Sequence, residues 1–456
     1  MKASSTQQPD GFTRPNRRSD FEVAIICGLR LEFDAVCLLI DELWDEDGVE
    51  DGKVDGDPNV YTTGRMGRCN VIIVLLSSTG KVSAASAAAS LRSSYPRVLL
   101  AILVGICGAV PFAGPKQEPI VLGDVIISNL MVQLDLGRVL PDRFLRKDTA
   151  HDSLGRPNKM IRNILVNLDS NIGRERIEKR AEDFLKALQK KSEENAKRQR
   201  RGTATSYKYP GAANDLLFPA SYRHKHGSGS GCRTCEDCHR NSDPVCEESL
   251  RLSCKELGCD TSRLIRREHL DSASDDSGSD LNPDGVYFFV GPMGSGDSAI
   301  RSGEQRDRIA NEAGVIAFEM GAAGVWDELP CIVIKGVCDY ADSHINKAWQ
   351  DYAAATAASV AKAVMERYIA TVRVSESSQV SDSSKVFDPS RVSSPSWGSD
   401  SSPSLDADGV GRQVIQWDGG KAGSGVGAVR FNGNVSGSKL VAGPYSSGGT
   451  MDFRFA

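Results

Sequence analysis

The chain has 456 residues, 40% of them hydrophobic and 25% charged, with a formal net charge of -5 at pH 7. That length suits two or three domains, and the charge balance gives no reason to expect general nucleic-acid binding. The longest apolar run, residues 98–110, is interrupted by Gly105 and Gly108 and is too short for a membrane segment. Residues 1–20 are polar, carry Arg14, Arg17 and Arg18, and have no apolar signal core. They predict a disordered N-terminus and a cytoplasmic protein.

Residues 21–135 alternate apolar runs with helical stretches. Strands are predicted at 23–27, 71–77, 98–104 and 124–127, and helices at 31–41 and 82–94, the second rich in alanine. This alternation predicts an α/β layer fold with a mostly parallel sheet. Residues 140–283 read as a long polar surface insertion. Within it, 172–201 is charge-dense and predicts a solvated helix. A Gly/Ser stretch at 227–231, a cysteine cluster and an acidic stretch at 271–280 follow. The α/β pattern resumes with a strand at 286–290, a helix at 303–312, the apolar segment 315–320, a strand at 331–337 and an alanine-rich helix at 349–372. Residues 374–428 are rich in Ser, Gly and Pro and predict a disordered linker. In 429–456, Phe431, Val435, Leu440, Val441, Tyr445, Met451, Phe453 and Phe455 are separated by Gly, Asn and Ser. That spacing fits short β segments able to pair with copies of themselves; the alternative is an unstructured Gly/Ser tail.

Two carboxyls stand at strand exits. Asp339 follows the apolar run that begins at Cys331, and Glu32 follows the strand 23–27. The carboxyl ends of strands are where α/β enzymes usually keep their chemistry, so the pair suits one acid and one base. Of twelve cysteines, Cys27, Cys37, Cys69, Cys107, Cys331 and Cys338 sit in or beside apolar segments and read as small buried residues. The other six cluster between Cys232 and Cys259 with metal-like spacing. Cys232, Cys235, Cys254 and Cys259 are a candidate tetrahedral set for a structural zinc; the alternative is a reduced insertion that binds nothing. No cofactor is required by the two-carboxyl chemistry.

Four motifs follow one another: Ile26-Cys27-Gly28-Leu29-Arg30-Leu31-Glu32; Ser78-Thr79-Gly80-Lys81-Val82; Val104-Gly105-Ile106-Cys107-Gly108-Ala109-Val110 with Leu122-Gly123-Asp124-Val125; and Ala317-Phe318-Glu319-Met320-Gly321-Ala322-Ala323 followed by Cys338-Asp339-Tyr340-Ala341-Asp342. In this order and at these intervals they resemble the nucleoside phosphorylase/nucleosidase superfamily, and within it a fungal branch associated with immune receptors. The resemblance covers about residues 21–137 and 285–372. It implies one domain over 21–373, a three-layer α/β/α sandwich around a mixed, curved central sheet, often assembled as homo-oligomers.

The resemblance also implies roles. N-glycosidic cleavage needs a proton on the leaving purine, and Asp339 matches the family's general acid. Its alternative is a loop or helix cap. Glu32 matches the nucleosidases' general base, where hexameric phosphorylases place a phosphate-binding arginine. Its alternative is a helix N-terminal residue favoured by the macrodipole. Leu103 and Ile106 stand where phosphate contacts would be, and with Glu32 they disfavour a phosphate site. Hydrolysis is therefore expected over phosphorolysis. Gly28, Gly80 and Gly105 are expected to let backbone approach the ligand. Met320 is placed beneath the ribose. Ile300 and Phe318 flank the base, or serve only as core. Glu319 is a secondary base or ribose contact. Lys81 meets a nucleotide phosphate or is solvated; Thr79-Gly80-Lys81 lacks the upstream glycine of a Walker A loop. Gly321 departs from the family, which has a ribose-binding glutamate there. That loss is worth roughly 1.5–3 kcal/mol of binding.

The function implied is a purine nucleoside or nucleotide N-glycosidase, with adenine nucleotides such as ATP as substrate, acting as an immune or cell-death effector. The alternatives are a phosphate-dependent phosphorylase and a non-catalytic purine-sensing module. Residues 429–456 resemble amyloid signalling motifs of fungal immune proteins, which implies an immune-receptor partner through that segment.

Overall fold

A computed structural model describes residues 14–44, 52–198, 205–227, 229–240, 243–267 and 285–369. All of these fall within a unit spanning Met1–Lys385. The expectations for 374–428 and 429–456 lie outside the described residues.

The apolar runs read from the sequence form the centre of a nine-stranded sheet. The strands are β1 (Val23–Cys27), β2 (Glu42–Leu43), β3 (Tyr61–Met66), β4 (Cys69–Leu75), β5 (Leu100–Ala109), β6 (Val125–Gln133), β7 (Phe288–Ser295), β8 (Ala317–Glu319) and β9 (Cys331–Asp339). Their order is β8-β7-β6-β9-β5-β1-β4-β3-β2, and β8 also pairs with β5. Residues such as Val23, Ala24, Ile25 and Ile26 are buried on both faces of β1, which is why the sequence shows continuous apolar runs there. β1 is parallel to β4 and β5, and β9 is parallel to β5. β3 runs antiparallel to β4, β9 to β6, and β8 to β5. The sheet is therefore mixed and curved, where the alternation of elements alone suggested a mostly parallel one.

Helices cover both faces. They are α1 (Arg30–Leu38), α2 (Lys81–Ser94), α3 (Lys159–Leu168), α4 (Asn171–Arg198), α5 (Gly303–Ala313), α6 (Ala322–Glu328) and α7 (Gln350–Val364). α7 packs on β9 and β5 and against α1 and α4, whereas α2 packs against α6, which touches β6 and β9. This is a three-layer α/β/α sandwich. The alanines of α7, buried from Ala353 through Ala363, give the close helix–sheet approach that layer needs.

The described residues within 140–283 include parts that pack into the fold. α4 is charge-dense, but Ile177, Ala181, Phe184, Leu185 and Leu188 form a buried stripe at helical spacing. The charges occupy the other face. Further along, Asp215, Arg267 and Tyr340 form a buried network. Arg267 donates to Asp215 Oδ1 at 3.0 Å and to the Asp215 carbonyl at 2.7 Å, and the Tyr340 hydroxyl donates to Asp215 Oδ1 at 2.8 Å. Asp215 also accepts from Leu122 N–H at 3.1 Å. The region is thereby tied to β9 and to the loop entering β6.

If α4 belongs to the core, Leu188→Ala lowers unfolding free energy by about 2–5 kcal/mol in urea titration; a solvated helix gives a change within about 0.5 kcal/mol. Asp124 supplies a pH test. Burial pushes its carboxyl up to about 8, against the pull of the Val121 N–H bond. A raised acid stabilises the fold below its unfolded pKa and loses that contribution as pH rises through the folded value. Wild-type stability is expected to fall between about pH 4 and pH 8 from this group. Asp124→Asn removes that part of the slope in thermal unfolding across the range.

Candidate functional site

Glu32 sits in the first turn of α1 and is 2% exposed. Its Oε2 accepts from the backbone N–H groups of Gly28 and Leu29, both at 2.8 Å, and its Oε1 accepts from Ile106 N–H at 2.8 Å. Two of these donors belong to the β1–α1 turn and one to β5. Glu32 therefore caps its own helix and reaches across to the neighbouring strand. Gly105 is required for this. A Cβ there would stand 2.1 Å from Glu32 Oε1. A carboxylate offers about four acceptor positions, so three N–H bonds leave one for a further donor.

Lys335 was missed in the sequence reading. It lies within β9, is 6% exposed, and has Glu32 and Glu319 as its strongest charged neighbours. Burial lowers its pKa, but those two carboxylates outweigh burial and the net shift is upward, so the ammonium keeps its charge. The available signal was a lysine inside an otherwise apolar strand. Nothing local to it in the sequence identified its partners.

Glu319 ends β8, and both its oxygens accept from Ala322 N–H at 3.0 Å. It is thus engaged in capping α6. Burial raises its pKa; Lys335, the Ser295 hydroxyl and Ala322 N–H pull it down; Glu32 pushes it up again, and the net is upward. Gly321, the N-cap of α6, has φ 139°, a conformation that L side chains rarely adopt. A glutamate at this position would strain the backbone as it stands.

Asp339 closes β9. The register with β5 shifts between Val337 and Asp339, so Cys338 is the extra residue of a bulge and Asp339 pairs with Gly108. Bulges re-aim side chains at site edges. Asp339 Oδ1 accepts from Ala341 N–H at 2.9 Å, and a Cβ on Gly108 would come within 2.7 Å of it. Burial raises the Asp339 pKa, against the Ala341 and Cys338 hydrogen bonds; Asp342 adds to the rise and Arg301 opposes it. Ala341 holds φ 50°, an uncommon conformation for a non-glycine residue. Glu32 and Asp339 thus meet β5 at Gly105 and Gly108, three residues apart, or roughly 10 Å of strand.

The remaining predicted residues fall as follows. Gly28 and Met320 are partly exposed at element ends. Gly80 is the N-cap of α2, and its carbonyl lies 3.7 Å from where a Cβ on Gly321 would stand. Phe318 is buried and Ile300 half-buried, both packed on the main core. Lys81 is partly exposed and engaged by carboxylates. Its ammonium pairs with Asp135 and lies 3.8 Å from Asp297, while its backbone N–H donates to Asp297 at 2.9 Å. A cleft lined by Asn171, Arg174, Glu175, Glu178, Lys179, Glu182 and Tyr287 shares no residue with this site.

The proposed quartet Cys232, Cys235, Cys254 and Cys259 does not converge. Cys232 and Cys235 group with His226 and Cys246, whereas Cys254 and Cys259 group with His224 and His344. Sequence spacing could not show this, because His344 lies far downstream of the cysteines.

Two substitutions test the site's construction. Gly105→Ala must displace the Glu32 carboxylate and is expected to cost about 1–3 kcal/mol in denaturant titration. Lys335→Met leaves buried carboxylates without their cation and is expected to cost about 3–5 kcal/mol. The second loss should be larger at pH 8 than at pH 5, where Glu319 is more readily protonated.

No family model matches the sequence. A nucleotide-binding leucine-rich repeat (NLR)-like protein of Hyaloscypha variabilis is 28% identical over 369 residues, covering 79% of this chain and 31% of its own length. The chain thus spans about a third of that curated relative. Among solved structures, the chain is similar to the futalosine hydrolase of Helicobacter pylori (TM-score 0.40, 13% identity, 76% of this chain and 98% of the other). It is also similar to the 5'-methylthioadenosine/S-adenosylhomocysteine nucleosidase of S. pneumoniae (TM-score 0.42, 16% identity, 76% and 99%). The same nucleosidase from Colwellia psychrerythraea, in complex with adenine, gives TM-score 0.41 and 12% identity over 76% and 96%.

Proposed function

We propose that this chain is a purine N-glycosidase that cleaves the base–ribose bond of a nucleoside or nucleotide with water. The observation that carries the reading is the pair of carboxyls, Glu32 from α1 and Asp339 from β9, that approach β5 at Gly105 and Gly108. Asp339 is held to a raised pKa by burial, as a proton donor to a leaving base requires. Glu32 is locked in one orientation by three backbone N–H groups, with acceptor capacity left for one water. In this reading Asp339 gives its proton to purine N7, the glycosidic C–N bond breaks with its electron pair leaving on the base, and water oriented by Glu32 adds to C1′ while giving a proton to the Glu32 carboxylate. Phosphate in place of water is disfavoured, because Leu103 is an apolar core residue and Glu32 carries a negative charge. The NLR-like relative makes an immune effector the context to examine, with ATP, AMP and adenosine as first substrates. Homo-oligomerisation and a receptor partner acting through 429–456 belong to the same proposal.

A second reading has a specific observation behind it. Glu319 is taken up in capping α6, and Gly321 has no side chain to meet a ribose diol. A site of this kind suits a sensor that binds a purine and turns it over slowly or not at all.

Incubating the full chain with ATP, AMP or adenosine, with and without phosphate, is expected to release free adenine independently of phosphate. Asp339→Asn is expected to lower the rate by about 10²-fold or more, and wild-type activity should fall as pH rises through the Asp339 pKa. Intact substrates under every condition, with saturable purine binding by calorimetry, select the sensor. Intact substrates without binding reject both readings.

A further inference from the structure

We propose that the segment between α4 and β7, together with His344 beyond β9, holds two separate tetrahedral zinc sites, and that one of them anchors the loop that follows Asp339. The first site is His224, Cys254, Cys259 and His344. Cys254 Sγ lies 3.7 Å from His224 Nδ1 and 3.5 Å from His344 Nδ1; Cys259 Sγ lies 3.4 and 3.9 Å from the same two atoms. A tetrahedral zinc with bonds of about 2.3 Å to sulfur and about 2.0 Å to nitrogen sets ligand–ligand edges of roughly 3.4–3.8 Å. Thiol–imidazole hydrogen bonds do not account for the pattern. Two thiols have two protons to donate, yet four S···N separations converge.

The outer partners point the same way. His224 Nε2 lies 2.8 Å from the Leu252 carbonyl, and His344 Nε2 lies 3.0 Å from the Tyr222 carbonyl. A carbonyl only accepts, so each Nε2 carries the proton and each Nδ1 presents a lone pair to the site. This is the arrangement of metal-bound histidines.

The second site is His226, Cys232, Cys235 and Cys246, with ligand atoms within 4.8 Å of one another. His226 Nδ1 lies 3.6 Å from Cys235 Sγ and 3.3 Å from Cys246 Sγ. Ser249 N–H donates to Cys246 Sγ at 3.4 Å, as to a thiolate. Three thiolates and one imidazole around Zn²⁺ leave a charge of -1. The Lys225 ammonium, which donates to the carbonyls of Cys235 and Cys238, sits beside it. Mixed N/S sets of this kind select zinc over harder cations.

The first site reaches into the catalytic side of the fold through His344. This residue is five positions beyond Asp339, its N–H donates to Asp342 at 2.7 Å, and its ring stacks on Phe218 at 4.2 Å. Zinc there joins the loop after β9 to the segment carrying His224 and Cys259. The ordering of this loop holds whether or not Asp339 acts as an acid.

The test uses the full chain purified without chelator. Elemental analysis is expected to give about two zinc per chain, with Cys259→Ser and Cys235→Ser each retaining about one. Cobalt exchange should give the visible bands of tetrahedral sulfur-ligated Co²⁺. In hydrogen–deuterium exchange, chelator should raise exchange at 340–346 and leave β4 unchanged. A wild-type chain without stoichiometric metal and without that cobalt spectrum overturns the sites. One zinc, lost equally in both variants, overturns the two-site assignment. Unchanged exchange at 340–346 in metal-free protein overturns the anchoring role.

Discussion

An ammonium buried in the strand next to the centre of the sheet sets the conditions for the rest of the site. Removing Lys335 from water costs several kcal/mol, and the structure offsets that with Glu32 and Glu319. Those carboxylates are themselves held by backbone N–H groups, at the β1–α1 turn, at Ile106 in β5 and at the start of α6. Two turns and a strand that are far apart in the chain thus lie around one charge.

Asp339 belongs to a different construction. Its direction comes from the bulge at Cys338, and the chain immediately after it is fixed by a buried hydroxyl and by His344. Tyr340 is tied to Asp215 and Arg267, and His344 to the cysteine-bearing segment. A region that reads as an insertion thus supports the loop that follows Asp339. This divides the labour: the sheet and its flanking helices hold Glu32, and residues such as Asp215, His224 and Arg267 hold the loop after Asp339.

Much of the sheet was legible because strands such as β1 and β5 are buried on both faces and announce themselves as unbroken apolar runs. The two strand-exit carboxyls were legible for the same reason. Lys335 was not, because a lysine is placed by the charges it meets in space and Glu32 is about three hundred residues away. In α4 the density of lysine, arginine and glutamate on the solvent face masked a five-residue stripe that the helical period reveals. The cysteine grouping failed for a geometric reason: ligands for one site come from 224, 254–259 and 344, and no local spacing rule can join them. β3 was passed over because it is a half-exposed antiparallel strand with Thr62, Thr63, Gly64 and Arg65 in it.

The sheet's ends have a consequence of their own. At one end β8 pairs with both β7 and β5, so the sheet curls back on itself there. At the other end β2 is two residues long, and the Trp44 N–H continues its cover by donating to the Thr63 carbonyl. Unpaired strand edges are templates on which extended chains add themselves. Among the described residues, the central sheet presents little such edge. An extended strand from another molecule therefore finds almost no row of free backbone groups on this sheet to add to, so sheet-to-sheet pairing is not a route by which copies of these described residues would join.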